Sequence, residues 1–150
     1  MTLTTQQLKD VLEQQFANCK GQGSATRIMQ ISNGFSYDWS AGGTCGTRIQ
    51  NVSFTPTDVT AVPPVVTGPA EQLVINGVVQ NPARTYRVTV NNFMATGGDG
   101  FATFLGGQNV LGGAQDIDAL VAYLAGYNAP APAYDPTSAV FKRPRINKLP

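Results

Sequence analysis

Histidine is absent from all 150 residues, and that omission excludes more chemistry than any other feature of the composition. Without an imidazole there is no Ser-His or Cys-His nucleophile pair, no histidine general base and no His-ligated zinc or iron. Only two cysteines are present, Cys19 and Cys45, so a four-cysteine metal site is excluded as well. Charge is also scarce: Asp, Glu, Lys and Arg make up 13% of the chain, about half the usual share. Ten basic residues against nine acidic ones leave a net charge of +1, which offers no field to nucleic acid or a membrane. A chain this neutral is prone to self-association. No apolar run approaches the ~20 residues of a membrane span, and no signal-peptide pattern opens the chain.

What is present suits one globular domain with a real core, the apolar fraction being 42%. Cys19 and Cys45 fit a single disulfide of an exported protein, with two small buried thiols as the alternative. If the protein is exported, its signal lies upstream of Met1.

Residues 3–17 carry strong helix-start signals. Thr4 with Gln7 fits a capping box, Leu3 with Leu8 a hydrophobic staple, and Leu8, Val11, Leu12 and Phe16 one apolar stripe. A start this well formed directly behind Met1 points to a chain cut from a longer one. After a loop over 19–24, the common parity of Met29, Ile31, Phe35, Tyr37 and Trp39 predicts a long strand over 27–39, with a bulge at Asn33-Gly34. Residues 47–54 are its expected antiparallel partner across a turn at 41–46. The stretch 55–70 holds four of the ten prolines and reads as a surface excursion. Asn76-Gly77 between two apolar runs predicts a hairpin with a type I′ turn.

A strand over 86–92 follows, then a glycine-rich turn, a short strand over 101–105, and a helix capped by Asp116 with Gly126 as its stop. That helix places Ile117, Leu120, Val121 and Leu124 on one face. The expected fold class is α+β: a mainly antiparallel sheet with two amphipathic helices packed on it. Residues 1–127 form the domain, and 128–150 are a Pro/Ala-rich, basic tail, read as solvated.

The candidate site lies in 86–104. Asp116 and Asp118 suit a helix start rather than acid–base work, and Gly97-Gly98-Asp99-Gly100 lacks the spacing of a phosphate loop or an EF-hand. Phe93 and Asp99 are more informative as a pair. A phenyl face can stack on a flat heterocycle, worth about 1–3 kcal/mol per base, and a carboxylate on a glycine-lined turn can accept from two vicinal hydroxyls. The alternative is that Phe93 is core and Asp99 an ordinary turn residue.

The string Asn92-Phe93-Met94-Ala95-Thr96-Gly97-Gly98-Asp99-Gly100-Phe101, behind a Tyr-Arg-Val strand and ahead of DIDALVAYL, resembles the C-terminal domain of the secreted 5′-nucleotidase family. That family includes UDP-sugar hydrolases and 2′,3′-cyclic phosphodiesterases. LTTQQLKDVLEQQF, IMQISNGFSYDW and INGVVQNPARTYRVTVNNF are similar to the family's helix, following strand, and hairpin with site strand.

The resemblance implies that Phe93 is one of two rings sandwiching the base and that Asp99 bonds the ribose hydroxyls. Asn92, Gly97, Gly98 and Gly100 would support their loop. The second ring, a ligand-binding Asn and phosphate-reading arginines would lie before Met1. The two-metal phosphoesterase machinery would belong to a separate N-terminal domain.

By this resemblance the chain is the C-terminal part of the substrate-specificity domain of a periplasmic, cell-surface or secreted hydrolase. It would bind nucleotide or nucleoside, carry no cofactor itself, and be inactive alone, while two divalent metal ions sit in the N-terminal domain. Copies of the chain would associate or exchange strands through uncovered edges. The competing class is a non-enzymatic binding or adhesion module that has kept the scaffold.

Overall fold

A three-residue strand, β1 (Thr2–Thr4), runs directly into helix α1 (Thr5–Gln14). The expected capping box starts that helix. Thr4 Oγ1 accepts from the Gln7 N–H at 3.1 Å, and Gln7 Oε1 accepts from the Thr4 N–H at 2.8 Å. The apolar stripe splits between two cores. Leu12 and Phe16 pack with Tyr37, Ile49, Val52, Leu73 and Val74, whereas Val11 joins Met1, Leu3, Phe101 and Phe104. Each such side chain contributes about 1.5–3 kcal/mol on burial.

Part of the polar side of α1 is buried too, which the stripe did not foretell: Lys9, Glu13 and Gln14, with Gln15 just past the helix end, are all buried. Hydrogen bonding makes this tolerable. The Glu13 carboxylate accepts from the N–H groups of Gly46 and Ile49 at 3.0 and 2.8 Å, and Lys9 Nζ donates to the carbonyls of Gly46 and Gly77 at 2.9 and 2.8 Å.

The structure, a computed structural model, describes residues 1–58, 60–61, 65–135, 137 and 144–150. Its further strands in chain order are β2 (Phe35–Ser40), β3 (Ile49–Phe54), β4 (Thr57–Asp58), β5 (Val65–Val66), β6 (Glu71–Ile75), β7 (Val78–Val79), β8 (Thr85–Arg87) and β9 (Ile146–Leu149). Five of them form one sheet in the order β7-β6-β3-β2-β9, antiparallel except for the parallel edge pair β2–β9. The expected Asn-Gly hairpin joins β6 to β7, with Asn76 and Gly77 at φ 48° and 79°, as a type I′ turn requires. Mainly antiparallel strands with helices make the fold α+β.

Several elements differ from expectation. The strand predicted over 27–39 is only Phe35–Ser40. The chain turns at Gly34 (φ 89°), where a Cβ would sit 2.7 Å from the Thr55 carbonyl oxygen. Residues before the turn leave the sheet and bond to the end of α1 instead, Arg27 N–H to the Gln15 carbonyl and Met29 N–H to Gln15 Oε1, at 2.7 and 3.0 Å. Within 55–70, β4 and β5 pair as a small antiparallel ladder; residues 59 and 62–64 lie outside the described residues.

The strand expected over 101–105 is a 3₁₀ turn, Ala102–Gly106. Phe101 and Phe104 are both buried, and a spacing of three matches 3₁₀ geometry rather than strand alternation.

The basic tail is not wholly solvated. Tyr37 faces Ile146 and Trp39 faces Lys148 across the β2–β9 pair. Asn147 Nδ2 donates to Asp38 Oδ1 at 2.8 Å, and Lys148 Nζ lies 5.7 Å from the Trp39 ring centre. Phe141, Lys142 and Arg143 of the same tail lie outside the described residues.

Cys19 and Cys45 are joined by a disulfide across 26 residues. It anchors the loop behind α1 to the turn before β3, a closure worth about 3 kcal/mol.

The chain divides into two compact units, Met1–Asn109 with Arg145–Pro150, and Val110–Pro144. The second contains helix α3 (Asp116–Ala125), while the short α2 (Asn92–Ala95) belongs to the first. Gln115 rather than Asp116 occupies the cap position, while Asp116 Oδ1 accepts from the Ile117 N–H at 2.8 Å. Gly126 ends the helix at φ −66°, not in the left-handed form expected of a glycine stop. Ile117, Leu120, Val121 and Leu124 are 47–60% exposed.

Candidate functional site

Strand β8 is the lead-in to the candidate site. It pairs antiparallel with β1, Leu3 opposite Tyr86, and Glu71 steadies its start by accepting from Arg84 Nη2 at 2.7 Å and from the Tyr86 hydroxyl at 3.0 Å. Burial, followed by the bond to Glu71, raises the Tyr86 phenol above its ordinary pKa.

The strand predicted to continue to residue 92 stops at Arg87. Asn91 is responsible for the next feature: its Oδ1 accepts from the Met94 N–H at 2.8 Å and caps a single helical turn, α2 (Asn92–Ala95). An amide side chain that can bond its own backbone diverts the chain from a ladder. Phe93 therefore sits on a helical turn rather than at a strand end, and it is 56% exposed instead of core. Thr96 Oγ1 ties the turn down by donating to the carbonyls of Asn92 and Phe93 at 3.2 and 3.0 Å.

Gly97 (φ 80°) reverses the chain into a 3₁₀ turn, Gly98–Gly100, in which Asp99 itself is left-handed at φ 55° and ψ 22°. The glycines here have separate reasons. Gly97 and Gly100 carry positive φ, whereas Gly98 lies against the Phe93 ring. A stacking face and a carboxylate thus stand beside one peptide unit. The Asp99 side chain is 51% exposed and meets Arg27 Nε at 3.5 Å, an open ion pair of little stabilising value.

Two residues at this turn were not singled out by their sequence context. One is Arg27. The other is Gln22, whose Nε2 donates to the Asp99 backbone carbonyl at 2.8 Å. A glutamine within a Gly-, Lys- and Gln-rich loop, 77 positions away, carries no local signal of that contact.

Phe93 presents an exposed ring face and Asp99 an exposed acceptor carboxylate. Among the described residues no group of three or more His, Cys, Asp or Glu could hold a metal ion. No helix among the described residues is long and apolar enough to cross a membrane. A mainly apolar cavity of about 710 Å³ is lined by Leu8 and Leu12 of α1 together with Met29, Phe54, Tyr86 and Val88. It reaches Asn91 and Met94 but neither Phe93 nor Asp99.

Residues 1–106 match the family described as "5′-nucleotidase, C-terminal domain". No curated protein matches the chain. Among solved structures it is similar to that of a 5′-nucleotidase precursor from Thermus thermophilus, with a TM-score of 0.66 and 24% identity. The similarity covers 99% of this chain and 24% of that one, so the chain spans about a quarter of that protein's length. At this identity the likeness bears on the fold alone. The family match extends over the capped helix, the hairpin and the Asn-Phe and Gly-Gly-Asp-Gly turns together, and the chain belongs to the 5′-nucleotidase C-terminal domain family.

Proposed function

We propose that this chain is the nucleoside-recognition part of a 5′-nucleotidase-like phosphoric ester hydrolase acting in nucleotide catabolism. One observation carries the reading: the exposed Phe93 ring of α2 lies against Gly98, and the exposed Asp99 carboxylate is carried by the next residue, on the left-handed turn. The ring stacks on the base, and the carboxylate accepts from the ribose hydroxyls. Asn92, Gly97, Gly98 and Gly100 keep the two in register.

In this reading the chain positions the nucleoside, and the chemistry belongs to a metallophosphoesterase domain with two divalent metal ions on the N-terminal side. Holding the ester at that centre is a contribution of orientation. The intact protein is exported to the periplasm, cell surface or exterior, where the Cys19–Cys45 bridge persists. Residues 1–127 act as the recognition domain and 128–150 as its C-terminal extension. Copies of the isolated chain associate through faces that the rest of the protein covers.

Titrating a full-length domain with adenosine while following the Phe93 ring resonances by NMR tests the binding claim. Shifts of Phe93 and of the Asp99 amide are expected; an unperturbed Phe93 would leave a domain without a nucleoside ligand. Incubation with AMP and a divalent metal should release no phosphate above blank.

A further inference from the structure

Gln22 is buried, with 6% of its surface exposed, yet it comes from an otherwise open loop. Its side-chain amide is almost fully engaged. Nε2 donates to the Asp99 carbonyl at 2.8 Å, while Oε1 accepts from the Gly23 N–H at 2.9 Å and from Arg27 Nη1 at 3.3 Å. The loop that delivers it is anchored at both ends of its turn. The Gln22 N–H donates to the Cys19 carbonyl at 2.9 Å, and Cys19 is bridged to Cys45. Gln14 Nε2 holds the Lys20 carbonyl at 2.8 Å, and Lys20 Nζ pairs with Asp10 at 2.9 Å.

The far side of the contact is shaped to receive the amide. A Cβ on Gly100 would lie 2.5 Å from Gln22 Oε1 and would have to displace the amide, and Gly100 itself sits at φ 81°, where a side chain is strained. Asp99 is a non-glycine residue in the left-handed region, a conformation that persists when surrounding contacts over-determine it. Its carbonyl bond to Gln22 holds the peptide plane between Asp99 and Gly100, the backbone from which the carboxylate projects. The same Oε1 orients Arg27, whose Nε faces Asp99 Oδ1.

We propose that Gln22 is a positioning residue of the nucleoside site: it locks the turn so that Asp99 is aimed at the ribose diol. This assignment rests on the nucleoside reading above. Gln22 touches no ligand; it acts through Asp99, and the Cys19–Cys45 bridge holds it in place.

The test compares adenosine with 2′,3′-dideoxyadenosine, which keeps the base and lacks the diol, by calorimetric titration of the 150-residue chain. The wild-type chain should prefer adenosine. Gln22→Met, which keeps the length and removes the donor, should weaken adenosine about tenfold and leave dideoxyadenosine within about twofold. Gln22→Glu, a second variant of equal size, should lose the same discrimination, and both should shift the Gly100 amide resonance in the ligand-free chain. Retained discrimination in both variants overturns the assignment, as does an equal loss for the two ligands, which marks a purely structural role. A wild-type chain with no preference for adenosine would instead sink the nucleoside reading itself, and this assignment with it.

Discussion

The Phe93 ring lies against Gly98 so closely that a Cβ there would sit 2.6 Å from both ring atoms Cδ1 and Cε1, and 2.6 Å from the Phe93 carbonyl oxygen. The ring could swing away from such a group, but the carbonyl could not. Gly98→Ala is therefore expected to displace the helical turn and the ring together. Adenosine affinity should fall by the value of one stacked base, about 1–3 kcal/mol. Titration of Gly98→Ala beside the wild type checks this; unchanged affinity would separate the ring from the site.

Phe93 and Phe101 lie close together on one loop system, and they should respond in opposite ways to truncation. Phe93→Ala removes a half-exposed ring, so thermal stability should change by less than about 1 kcal/mol while base binding is lost. Phe101 is buried with Met1, Leu3, Val11 and Phe104. Its replacement by Ala should cost about 3–5 kcal/mol through loss of transfer energy and a cavity. Denaturant unfolding of the two variants distinguishes a ligand face from a core residue.

Glu13 gives a third expectation. Its fully buried carboxylate is the acceptor for two backbone N–H groups, of Gly46 and Ile49. Glu13→Ala strands both donors, and each orphan costs about 1–3 kcal/mol. The loss should come with faster amide exchange at Gly46 and Ile49. A variant of wild-type stability would show that water replaces the carboxylate at no penalty.

Tyr37 predicts a pH dependence. Burial pushes its phenol up to about 12 from 10.0, and the hydroxyl donates to Gln15 Oε1 at 2.9 Å. The folded state holds this proton more tightly than the unfolded state does. Its stabilising effect is thus complete below pH 10 and is lost as pH rises toward about 12. The loss amounts to something on the order of 2–3 kcal/mol. Melting curves across that window should fall less steeply for Tyr37→Phe than for the wild type; parallel curves would remove Tyr37 as the cause.

Much of the scaffold is legible because its signals are local. Thr4 and Gln7 cap α1 within one turn, Asn76-Gly77 selects a type I′ hairpin, and alternation marks β2 and β3. The chain departs from local pattern where a distant group intervenes. Met29 and Ile31 alternate like a strand, yet beyond the turn at Gly34, set against Thr55, they do not join the sheet. The Met29 N–H donates to Gln15 Oε1 and the Ile31 carbonyl accepts from Arg145 Nη1 instead. The last strand, Ile146–Leu149, becomes a strand because β2 has an open edge for it to join. Its basic composition says nothing of that edge.

The same division runs through the candidate site. The sequence by itself determined a glycine-lined turn with an aromatic followed closely by a carboxylate. These are one-residue preferences of backbone and side chain, and they act without a partner. That Asn91 caps a helical turn, where the local pattern reads as strand, the sequence did not show. Only the tertiary structure decided that the ring is exposed, that Gly98 lies beneath it, and that a buried amide from Gln22 fixes the Asp99 peptide. Those outcomes depend on which distant groups the fold brings within about 3 Å. Burial of Gln22 is tolerated only because its hydrogen bonds are made to partners elsewhere in the chain.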